Sequence, residues 1–325
     1  GTGRLELWLQ ISVRARGLAF QQPPEGCDLL HVQYPFFLAY AAIGEARALG
    51  LPVVCSFHVQ PENILKNLHL PSRALSRLLY RFFVRFIYAR ADYVVTPSAF
   101  AAELLRKNGL ERPITVVSNG VPQRFFDIER APAGDKHLLL SVGRLASEKE
   151  QETLLQAVAQ SRHRDRIEIV LAGVGPREES LKRLAKRLKL AARIGWVDDT
   201  TLNDLYGRAD VFVHAGTIEL EGMSVLEAMA AGNAVVVSDS AESACASLVT
   251  EPRARFRMGD AADLAARIDA WLDDPAARAA EGRKNRLFAQ TLSHEKATRR
   301  LKNFYADVLG NREPDVLEVS LTGTS

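Results

Sequence analysis

Short apolar runs alternate with longer segments of helical periodicity in the first third of the chain. The predicted strands are residues 28–35, 52–59, 92–98 and 114–120, and the predicted helices include 36–50 and 100–109. The strand segments are nearly continuous in apolar residues, which is typical of a parallel sheet covered by helices on both faces. The pattern therefore predicts a doubly wound α/β unit.

A second series of the same kind begins after residues 122–136, which we interpret as a linker because they carry proline and charge without periodicity. Its predicted strands are 137–143, 167–173, 192–197, 209–216 and 234–240. The two series predict Rossmann-like domains at 1–121 and 137–295, facing each other across a cleft. Residues 296–325 are predicted to form a helix that returns to the first domain, followed by a polar tail. Ligands of such sheets bind beyond the carboxyl ends of the strands, so we expect the chemistry in the turns.

Composition narrows the class of protein. A chain of 325 residues with 47% apolar content is expected to form about two domains. The net charge of +3 argues against nucleic acid as a partner. Cys27, Cys55 and Cys245 have no spacing typical of disulfides or zinc. No apolar run approaches the ~20 residues of a membrane span and no export signal is present, so we expect a cytoplasmic protein, with peripheral membrane association left open.

The turns of the second domain contain candidate phosphate ligands. Gly143 ends a predicted strand, and Arg144 and Lys149 follow on a short loop before a helix. Two cations near a helix start suit a diphosphate, although this turn taken alone is better explained as a solvated basic loop. Gly173 and Gly175 form a second turn, where backbone could approach a ligand closely.

Residues 218–232, IELEGMSVLEAMAAG, contain a predicted helix start after Gly222. A helix beginning near Ser224 would direct the amides of Met223, Ser224 and Val225 toward a phosphate. A capped surface helix is the alternative interpretation.

Two carboxylates flank this helix start with seven residues between them. Glu227 would lie in the first helical turn and could accept hydrogen bonds from ribose hydroxyls, while Glu219 on the preceding loop could bind sugar hydroxyls. Glu221, between them, is interpreted as loop polarity.

Taken together, these motifs resemble those of the retaining nucleotide-sugar glycosyltransferases of the glycogen synthase and mannosyltransferase type, glycosyltransferase family four, which have the GT-B fold. GRLASEK (143–149), Glu219, Glu227 and GMSVLEAMAAG (222–232) look like that family's two donor-site motifs, in order and at the usual separation. The likeness covers nearly the whole chain.

The resemblance implies a role for each matched residue. Arg144 and Lys149 would bind the donor diphosphate and neutralise the leaving group, Glu219 would contact the donor sugar, and Glu227 would bind the ribose. The amides at the helix start would bind phosphate, and the turn at 195–197 resembles the backbone hook for the base. The donor-binding set is Gly143, Gly173, Gly175, Gly195, Trp196, Val197, Gly222, Met223, Ser224, Val225 and Glu227.

Residues 56–70, 214–232 and 238–249 look like the branch that contains diacylglycerol glucosyltransferases. His58 corresponds to a histidine that lies beside the donor sugar in that family. Taken alone, the position of His58 at the end of a predicted strand is equally consistent with a structural and a functional role. The resemblance therefore adds His58 to the candidate catalytic residues.

Two features depart from the family pattern. Such chains begin with a strand, a glycine-rich turn, a helix and a second strand, whereas only about 27 residues precede the first predicted strand here, and GRLELWLQISVRARG has no such turn. The first domain is therefore expected to lack its first strand and helix units, together with the acceptor contacts and some of the phosphate contacts that these units supply in the family. In addition, Glu150 and Gln151 follow Lys149 where the family often has glycine.

The sequence lacks the paired carboxylates of a metal-dependent sugar transferase. No Asp-x-Asp occurs, and Asp198–Asp199 and Asp273–Asp274 are adjacent pairs in loop-like stretches. We therefore expect no metal and no cofactor, with Arg144 and Lys149 performing that role. No residue pair has the pattern of a nucleophile and its base, which favours attack on the same face of the sugar.

Residues 71–92 predict an amphipathic basic helix. Its apolar positions are Leu75, Leu78, Leu79, Phe82, Phe83, Phe86 and Ile87, its arginines are Arg73, Arg77, Arg81 and Arg85, and Tyr80 and Tyr88 are predicted at the border. An anionic membrane surface and a solvated face of an ordinary domain helix are both consistent with this pattern. The basic helix at 176–193 lacks an aromatic border and is interpreted as solvated.

These observations predict transfer of a hexose, glucose from UDP-glucose, to a lipid such as diacylglycerol. Alternatives are a saccharide or soluble acceptor and a non-catalytic nucleotide-sugar binding protein. A nicotinamide dehydrogenase is disfavoured because neither glycine-bearing turn matches GxGxxG.

Overall fold

The computed structural model describes residues 27–310 apart from 69, 71 and 133, together with 312 and 314. Within these residues the chain forms two parallel sheets, each packed with helices, which confirms the prediction of two α/β domains. The prediction that the first domain lacks its first units concerns residues before 27 and lies outside the described part of the chain, as does most of the predicted polar tail.

The first domain contains a parallel sheet of order β1-β2-β3-β4. Its elements are β1 (Leu30–Val32), α1 (Phe37–Ala48), β2 (Val53–Ser56), α2 (Pro61–Asn67), α3 (Arg73–Phe86), β3 (Tyr93–Thr96), α4 (Ala99–Lys107) and β4 (Ile114–Val116). All residues of β2 are buried because the strand lies inside the sheet with protein on both faces. The observed strands lie within the predicted ones and are shorter.

The predicted linker contains a short helix, α5 (Gln123–Phe126). Phe125 and Phe126 are buried in the core of the second domain, where Phe125 packs edge-on against Tyr206. This helix was not predicted, because a single helical turn is too short to show periodicity in the sequence.

The second domain is a parallel sheet of order β10-β9-β8-β5-β6-β7. Its elements are β5 (His137–Val142), α6 (Gln151–Gln160), β6 (Ile167–Ala172), α7 (Glu178–Arg187), β7 (Ala191–Gly195), α8 (Asp199–Arg208), β8 (Val211–His214), α9 (Met223–Ala230), β9 (Ala234–Ser238), β10 (Arg255–Phe256), α10 (Ala261–Leu272), α11 (Pro275–Thr291) and α12 (His294–Leu309). The two-residue strand β10 was not predicted.

Side chains of β5 alternate between two apolar clusters, with Leu138 and Leu140 in one and Leu139 in the other. Both faces of the second sheet are therefore buried in the apolar core.

Two segments cross between the domains and are hydrogen-bonded to each other. The Val121 amide donates to the Leu292 carbonyl at 2.9 Å, and the His294 amide donates to the Val121 carbonyl at 2.9 Å. A side chain at Gly120 would place its Cβ 2.6 Å from the His294 Cα, so this crossing requires glycine. α12 then packs on the first sheet, where Phe304 and Tyr305 join the apolar cluster that contains Val54, Val95 and Val117.

Candidate functional site

A cavity of about 400 Å³ lies in the cleft between the two domains. It is lined by His58, Asn63, Pro97 and Asn119 of the first domain and by Gly143, Lys149, Glu219, Leu220, Glu221, Gly222, Met223, Ser224 and Glu227 of the second. Most of these residues follow the carboxyl ends of strands, which is where ligands of parallel sheets bind. The volume falls within the usual range for small-molecule sites, about 300–1,000 Å³.

Lys149 and Glu219, which both line this cavity, form an ion pair. Lys149 ends a short 3-10 turn, Ser147–Lys149, and its Nζ donates to Glu219 Oε1. Their side chains are 19% and 20% exposed, so both remain accessible from the cleft. A diphosphate that binds Lys149 must therefore share or replace its contact with Glu219.

Glu150, immediately after this turn, adopts a left-handed backbone conformation with φ of 49°. A residue other than glycine is strained in this region. Its carboxylate accepts from Lys66 Nζ of the first domain at 3.3 Å. The cations Arg144 and Lys149 both remain on the loop, although glycine is replaced at 150.

Arg144 is paired with a buried carboxylate that the sequence analysis did not identify. Its Nη2 lies 2.5 Å from Glu148 Oε1, and its Nε donates to the same oxygen at 3.2 Å. The Glu148 side chain is only 3% exposed, whereas that of Arg144 is 50% exposed. Arg144 lies beside the cavity rather than among its lining residues. The spacing of four residues was the available signal, but it does not indicate burial.

The glycines of the second turn pack against the first turn. A side chain at Gly173 would clash with the Gly143 carbonyl oxygen, and one at Gly175 would clash with the Leu145 backbone. This close approach of two backbones explains the glycines and holds Gly143 in place at the cavity. A role of Gly173 and Gly175 in binding a ligand stays a prediction.

The start of α9 faces the cavity with fewer free amides than predicted. The helix begins at Met223, preceded by Gly222 with φ of 86° and in contact with Cys245, where a Cβ would lie 2.6 Å from the sulfur. The Val225 amide donates to the Gly222 carbonyl at 2.9 Å and the Val225 side chain is in the core. The amides at Met223 and Ser224 are therefore the ones positioned for a phosphate.

Glu227 lines the cavity as the fifth residue of α9, because the helix begins one residue earlier than predicted. Its Oε2 accepts from the Tyr206 hydroxyl at 3.0 Å. Burial raises the pKa of Glu227, and the hydrogen bond from Tyr206 opposes this effect. Tyr206 thus orients the carboxylate and leaves its other oxygen for a ligand.

His214 is a further polar residue beside Glu219 that the sequence analysis did not single out. Its Nε2 lies 3.4 Å from Glu219 Oε1, and its side chain is almost completely buried. Burial lowers the pKa of His214 to about 4, so the ring is neutral at neutral pH. Gly216 provides the space for this ring, since a Cβ there would lie 2.6 Å from Nε2.

Glu221 is buried rather than a polar loop residue, and its prediction was wrong. It is 5% exposed, and its carboxylate accepts from the Ser118 hydroxyl and from the Asn119 backbone and side chain. Burial raises the pKa of Glu221 while these hydrogen bonds lower it. Because its partners are some 100 residues away in sequence and in the other domain, no local pattern could reveal the contact.

His58 lies at the cavity after β2, as predicted from its position at a strand end. Burial lowers the pKa of His58, which favours the neutral ring. Its ring centroid lies 6.5 Å from that of Tyr34, which is 57% exposed at the outer side of the cleft.

The predicted base hook lies outside the lining of the cavity. Trp196 is 71% exposed, and Val197 packs against the core of the second domain. Gly195 has φ of 140°, and a Cβ there would lie 3.3 Å from Glu178 Oε1. The structure does not bring these residues together with Lys149 and Glu219.

The solvent face of α3 combines basic and apolar side chains. Leu78, Phe82 and Phe86 are 61%, 50% and 41% exposed, and the rings of Phe82 and Phe86 are 5.0 Å apart. The exposed arginines of the helix are Arg73, Arg77, Arg81 and Arg85. Tyr80 and Tyr88 are buried, contrary to their predicted border position, because Tyr80 reaches Glu62 and both rings pack on Phe57. The boundary between the buried face and the solvent face of α3 therefore lies at other residues than predicted.

Two tandem α/β domains with this cleft between them define the class of GT-B glycosyltransferases. A model of the family described as "Glycosyl transferases group 1" matches residues 123–306, and one described as "Glycosyltransferase Family 4" matches residues 3–124. The chain belongs to the glycosyl transferases group 1 family.

Similar proteins include an alpha-monoglucosyldiacylglycerol synthase of Streptococcus pneumoniae, 27% identical over 64% of this chain and 51% of that protein. A sulfoquinovosyl transferase of Arabidopsis thaliana is 26% identical over 85% of this chain and 56% of that protein. Glycogen synthase of Mycobacterium tuberculosis is 29% identical over 88% of this chain and 70% of that protein. The chain spans about half the length of the first two relatives.

Solved structures share the fold. HepE of Anabaena, in complex with UDP, superposes with a TM-score of 0.71 at 19% identity and covers 87% of this chain and 79% of its own. Sucrose-phosphate synthase of Thermosynechococcus elongatus gives a TM-score of 0.73 at 19% identity, covering 89% of this chain and 75% of its own.

Among the described helices, none combines the length and apolar character needed to cross a bilayer. In the same part of the chain, histidine, cysteine and acidic side chains do not gather in threes around a possible metal position.

Proposed function

We propose that this chain is a retaining hexosyltransferase that moves glucose from UDP-glucose to a lipid acceptor such as diacylglycerol. The supporting observation is the single cavity that contains His58, Lys149, Glu219, the start of α9 and Glu227. Lys149 and the start of α9 suit the diphosphate of a nucleotide sugar, Glu227 suits its ribose, and Glu219 suits its sugar. The family membership supports the same class of reaction.

The donor would lie along this cavity. Its diphosphate would contact Lys149 and the amides of Met223 and Ser224, with Arg144 at the edge, and its ribose would bind the free oxygen of Glu227. The sugar would then reach Glu219. Binding would exchange the Lys149–Glu219 ion pair for a Lys149–phosphate pair, which keeps the cation compensated and frees Glu219 for the sugar.

The proposed reaction forms a bond from an acceptor oxygen to the anomeric carbon and breaks the bond from that carbon to the diphosphate. The acceptor attacks on the face from which the diphosphate leaves, and its hydroxyl proton passes to a leaving phosphate oxygen. Lys149 and Arg144 stabilise the charge that develops on this phosphate. Glu219 steers the sugar, and the neutral ring of His214 beside it adds no competing positive charge.

A lipid acceptor is supported by two observations. Two relatives are named as a glucosyldiacylglycerol synthase and a sulfoquinovosyl transferase. In addition, α3 exposes three large apolar side chains next to its arginines, a combination suited to an anionic bilayer surface. A saccharide acceptor remains the alternative, because glycogen synthase is also among the relatives.

Donor binding can be tested first, by thermal unfolding with a panel of nucleotide sugars. A ligand at 100 times its dissociation constant stabilises the folded protein by about 2.7 kcal/mol, so the donor should stand out from the other nucleotide sugars. UDP-glucose is expected to give the largest shift. A panel without any stabilising nucleotide sugar would contradict the proposal.

Transfer can then be followed with labelled donor and either diacylglycerol vesicles or soluble saccharides. Label in the lipid phase supports the proposed acceptor, and label in saccharide supports the alternative. Hydrolysis or transfer by the wild-type protein that is lost in Glu219→Gln would exclude a purely binding role. The configuration of the product at the anomeric carbon, read by nuclear magnetic resonance, tests retention.

A further inference from the structure

The loop between β8 and α9 is held by the opposite domain at two consecutive residues. The Ser98 hydroxyl donates to the Leu220 carbonyl, and the Leu220 side chain packs against the core of the first domain. Glu221 follows, with its carboxylate directed to the segment after β4. The loop that carries Glu219 is therefore fixed from across the cleft.

The contacts of Glu221 match an ionised carboxylate. The Ser118 hydroxyl donates to Oε1, the Asn119 amide lies 3.2 Å from Oε1 and 3.3 Å from Oε2, and Asn119 Nδ2 lies 2.5 Å from Oε2. The Gly120 amide donates to the Ser118 oxygen at 3.0 Å, so the serine proton is available for Glu221. Each oxygen of Glu221 thus accepts from the first domain.

This arrangement depends on the relative position of the domains. A carboxylate that is 5% exposed requires donors in place of water. If the cleft opens, Ser118 and Asn119 move away and water hydrates Glu221. Closure of the cleft therefore replaces the water around Glu221 with hydrogen bonds from Ser118 and Asn119. These bonds are directional, so they form only at one relative position of the two domains.

The same loop is held on its other side by its own domain. The Glu219 amide donates to the Glu242 carbonyl at 3.2 Å, and the Ala244 amide donates to the Glu219 carbonyl at 2.8 Å. The backbone of Glu219 therefore lies between a fixed segment of the second domain and the closing contact at Glu221. Residues 219–221 therefore connect a contact within the second domain to a contact with the first domain.

We propose that Glu221 is a positioning residue: by binding Ser118 and Asn119 as the domains close, it fixes the loop that presents Glu219 to the donor sugar. The catalytic part of this proposal rests on the proposed function. The mechanical part, that Glu221 holds the domains together, does not.

A second charged contact between the domains involves other residues and makes a selective test possible. Lys66 Nζ donates to Thr217 Oγ1 at 3.1 Å and to Glu150 Oε1 at 3.3 Å. Because this contact remains when Glu221 is changed, the variants below should keep both domains folded and adjacent.

The test compares Glu221→Gln with Glu242→Gln. At 221 the new amide group would face the donors of Ser118 and Asn119. At 242 the same change is made to a partly exposed residue whose backbone carbonyl, which accepts from Gln60 at 2.9 Å, is unaffected. Ser118→Ala provides a second variant, on the other domain, that leaves the charge of Glu221 in place.

Hydrogen exchange of residues 117–121 and 218–222 reports on the contact itself. In Glu221→Gln the Asn119 amide should exchange about tenfold faster or more, and kcat should fall about ten- to hundredfold, consistent with the loss of hydrogen bonds to a charged group. The affinity for UDP should stay within about threefold, because the phosphate contacts are not touched. Ser118→Ala should shift exchange and kcat in the same direction by less, and Glu242→Gln should match the wild type.

Unchanged exchange at Asn119 in Glu221→Gln, or an equal fall in UDP affinity and kcat, would overturn the proposal. A wild-type protein that binds no nucleotide sugar would overturn the proposed function and the catalytic part of the inference. In that case the exchange data still decide whether Glu221 holds the domains together.

Discussion

Lys149 Nζ contacts Glu219 Oε1 within the cleft, so the cation proposed for the diphosphate and the carboxylate proposed for the sugar form one ion pair. They come from loops after β5 and β8, which are neighbours in the sheet. The pair compensates two charges in a cavity where neither is fully solvated. The contact also fixes the two side chains relative to each other.

Lys149→Ala should weaken UDP binding by about 10- to 100-fold, because it removes a charged donor to phosphate. The free energy of unfolding should fall by about 1–3 kcal/mol, since Glu219 loses its partner but stays accessible from the cleft. Calorimetric titration with UDP and urea unfolding measure the two quantities. Lys149→Arg, which keeps the charge, is the control, and full UDP affinity in Lys149→Ala would remove this residue from the diphosphate site.

Glu219→Gln and Glu227→Gln should separate into two kinetic classes. Glu227→Gln still accepts from the Tyr206 hydroxyl but loses the charged partner of the ribose, so it should mainly raise the donor KM. Glu219→Gln should mainly lower kcat, because its interaction strengthens as positive charge develops at the anomeric carbon. Binding of free UDP, which carries no sugar, distinguishes them: an equal loss of UDP affinity in both variants would place Glu219 away from the sugar.

Activity should persist in a strong chelator, because Lys149, Arg144 and the start of α9 are proposed to stabilise the leaving diphosphate. The measurement is donor turnover before and after dialysis against EDTA. Magnesium and manganese are then added back to the dialysed protein. Loss of turnover that either cation restores would show that the proposed charge stabilisation is incomplete.

His31 should make stability depend on pH below neutrality. Burial, with a smaller contribution from His58, lowers the pKa of His31 to about 4 from the ordinary 6.5. Between these values the unfolded chain binds more protons than the folded one, so stability falls as the pH decreases from 6.5 toward 4, by about 1.4 kcal/mol per pH unit for this residue. Urea unfolding at several pH values should give a shallower slope for His31→Gln.

Ser56→Ala is the control for that experiment, because it removes the hydroxyl 2.8 Å from His31 Nε2 but keeps the ring. Its stability should be lower overall with the pH slope retained. An identical slope in wild type and His31→Gln would show that the ring is protonated in the folded state.

Binding to anionic vesicles should require α3. Reversing Arg77, Arg81 and Arg85 to glutamate should reduce the vesicle affinity at least about a hundredfold, since each arginine near such a surface contributes about 1 kcal/mol. The matched control reverses Arg183, Lys186 and Arg187 on the solvated basic helix α7 and should bind as the wild type does. Cosedimentation measures both, and equal loss in the two variants would indicate attraction by overall charge.

Phe82→Ser tests the apolar part of the same surface. The side chain is half exposed, so its loss should leave the fold intact and still weaken vesicle binding through lost apolar burial. Unchanged affinity would mean that the arginines act alone.

The sequence by itself determined the two α/β domains and several residues that line the cavity in the cleft. Continuous apolar runs specify strands buried on both faces, and turns at the ends of parallel strands are brought together by the topology of the sheet. For this reason His58, Lys149, Glu219 and Glu227 could be placed in one cleft from their positions alone.

Only the tertiary structure decided which of these groups are paired and how. Glu148 beneath Arg144, His214 beside Glu219, and Glu221 against Ser118 and Asn119 depend on contacts between loops or domains that carry no periodic signal. The contact of the second-turn glycines with the backbone of the first turn likewise carries no periodic signal. The orientation of α3 was also undetermined, because a helix rich in both phenylalanine and arginine has more than one apolar stripe, and packing against Phe57 and Glu62 selects the one that is buried.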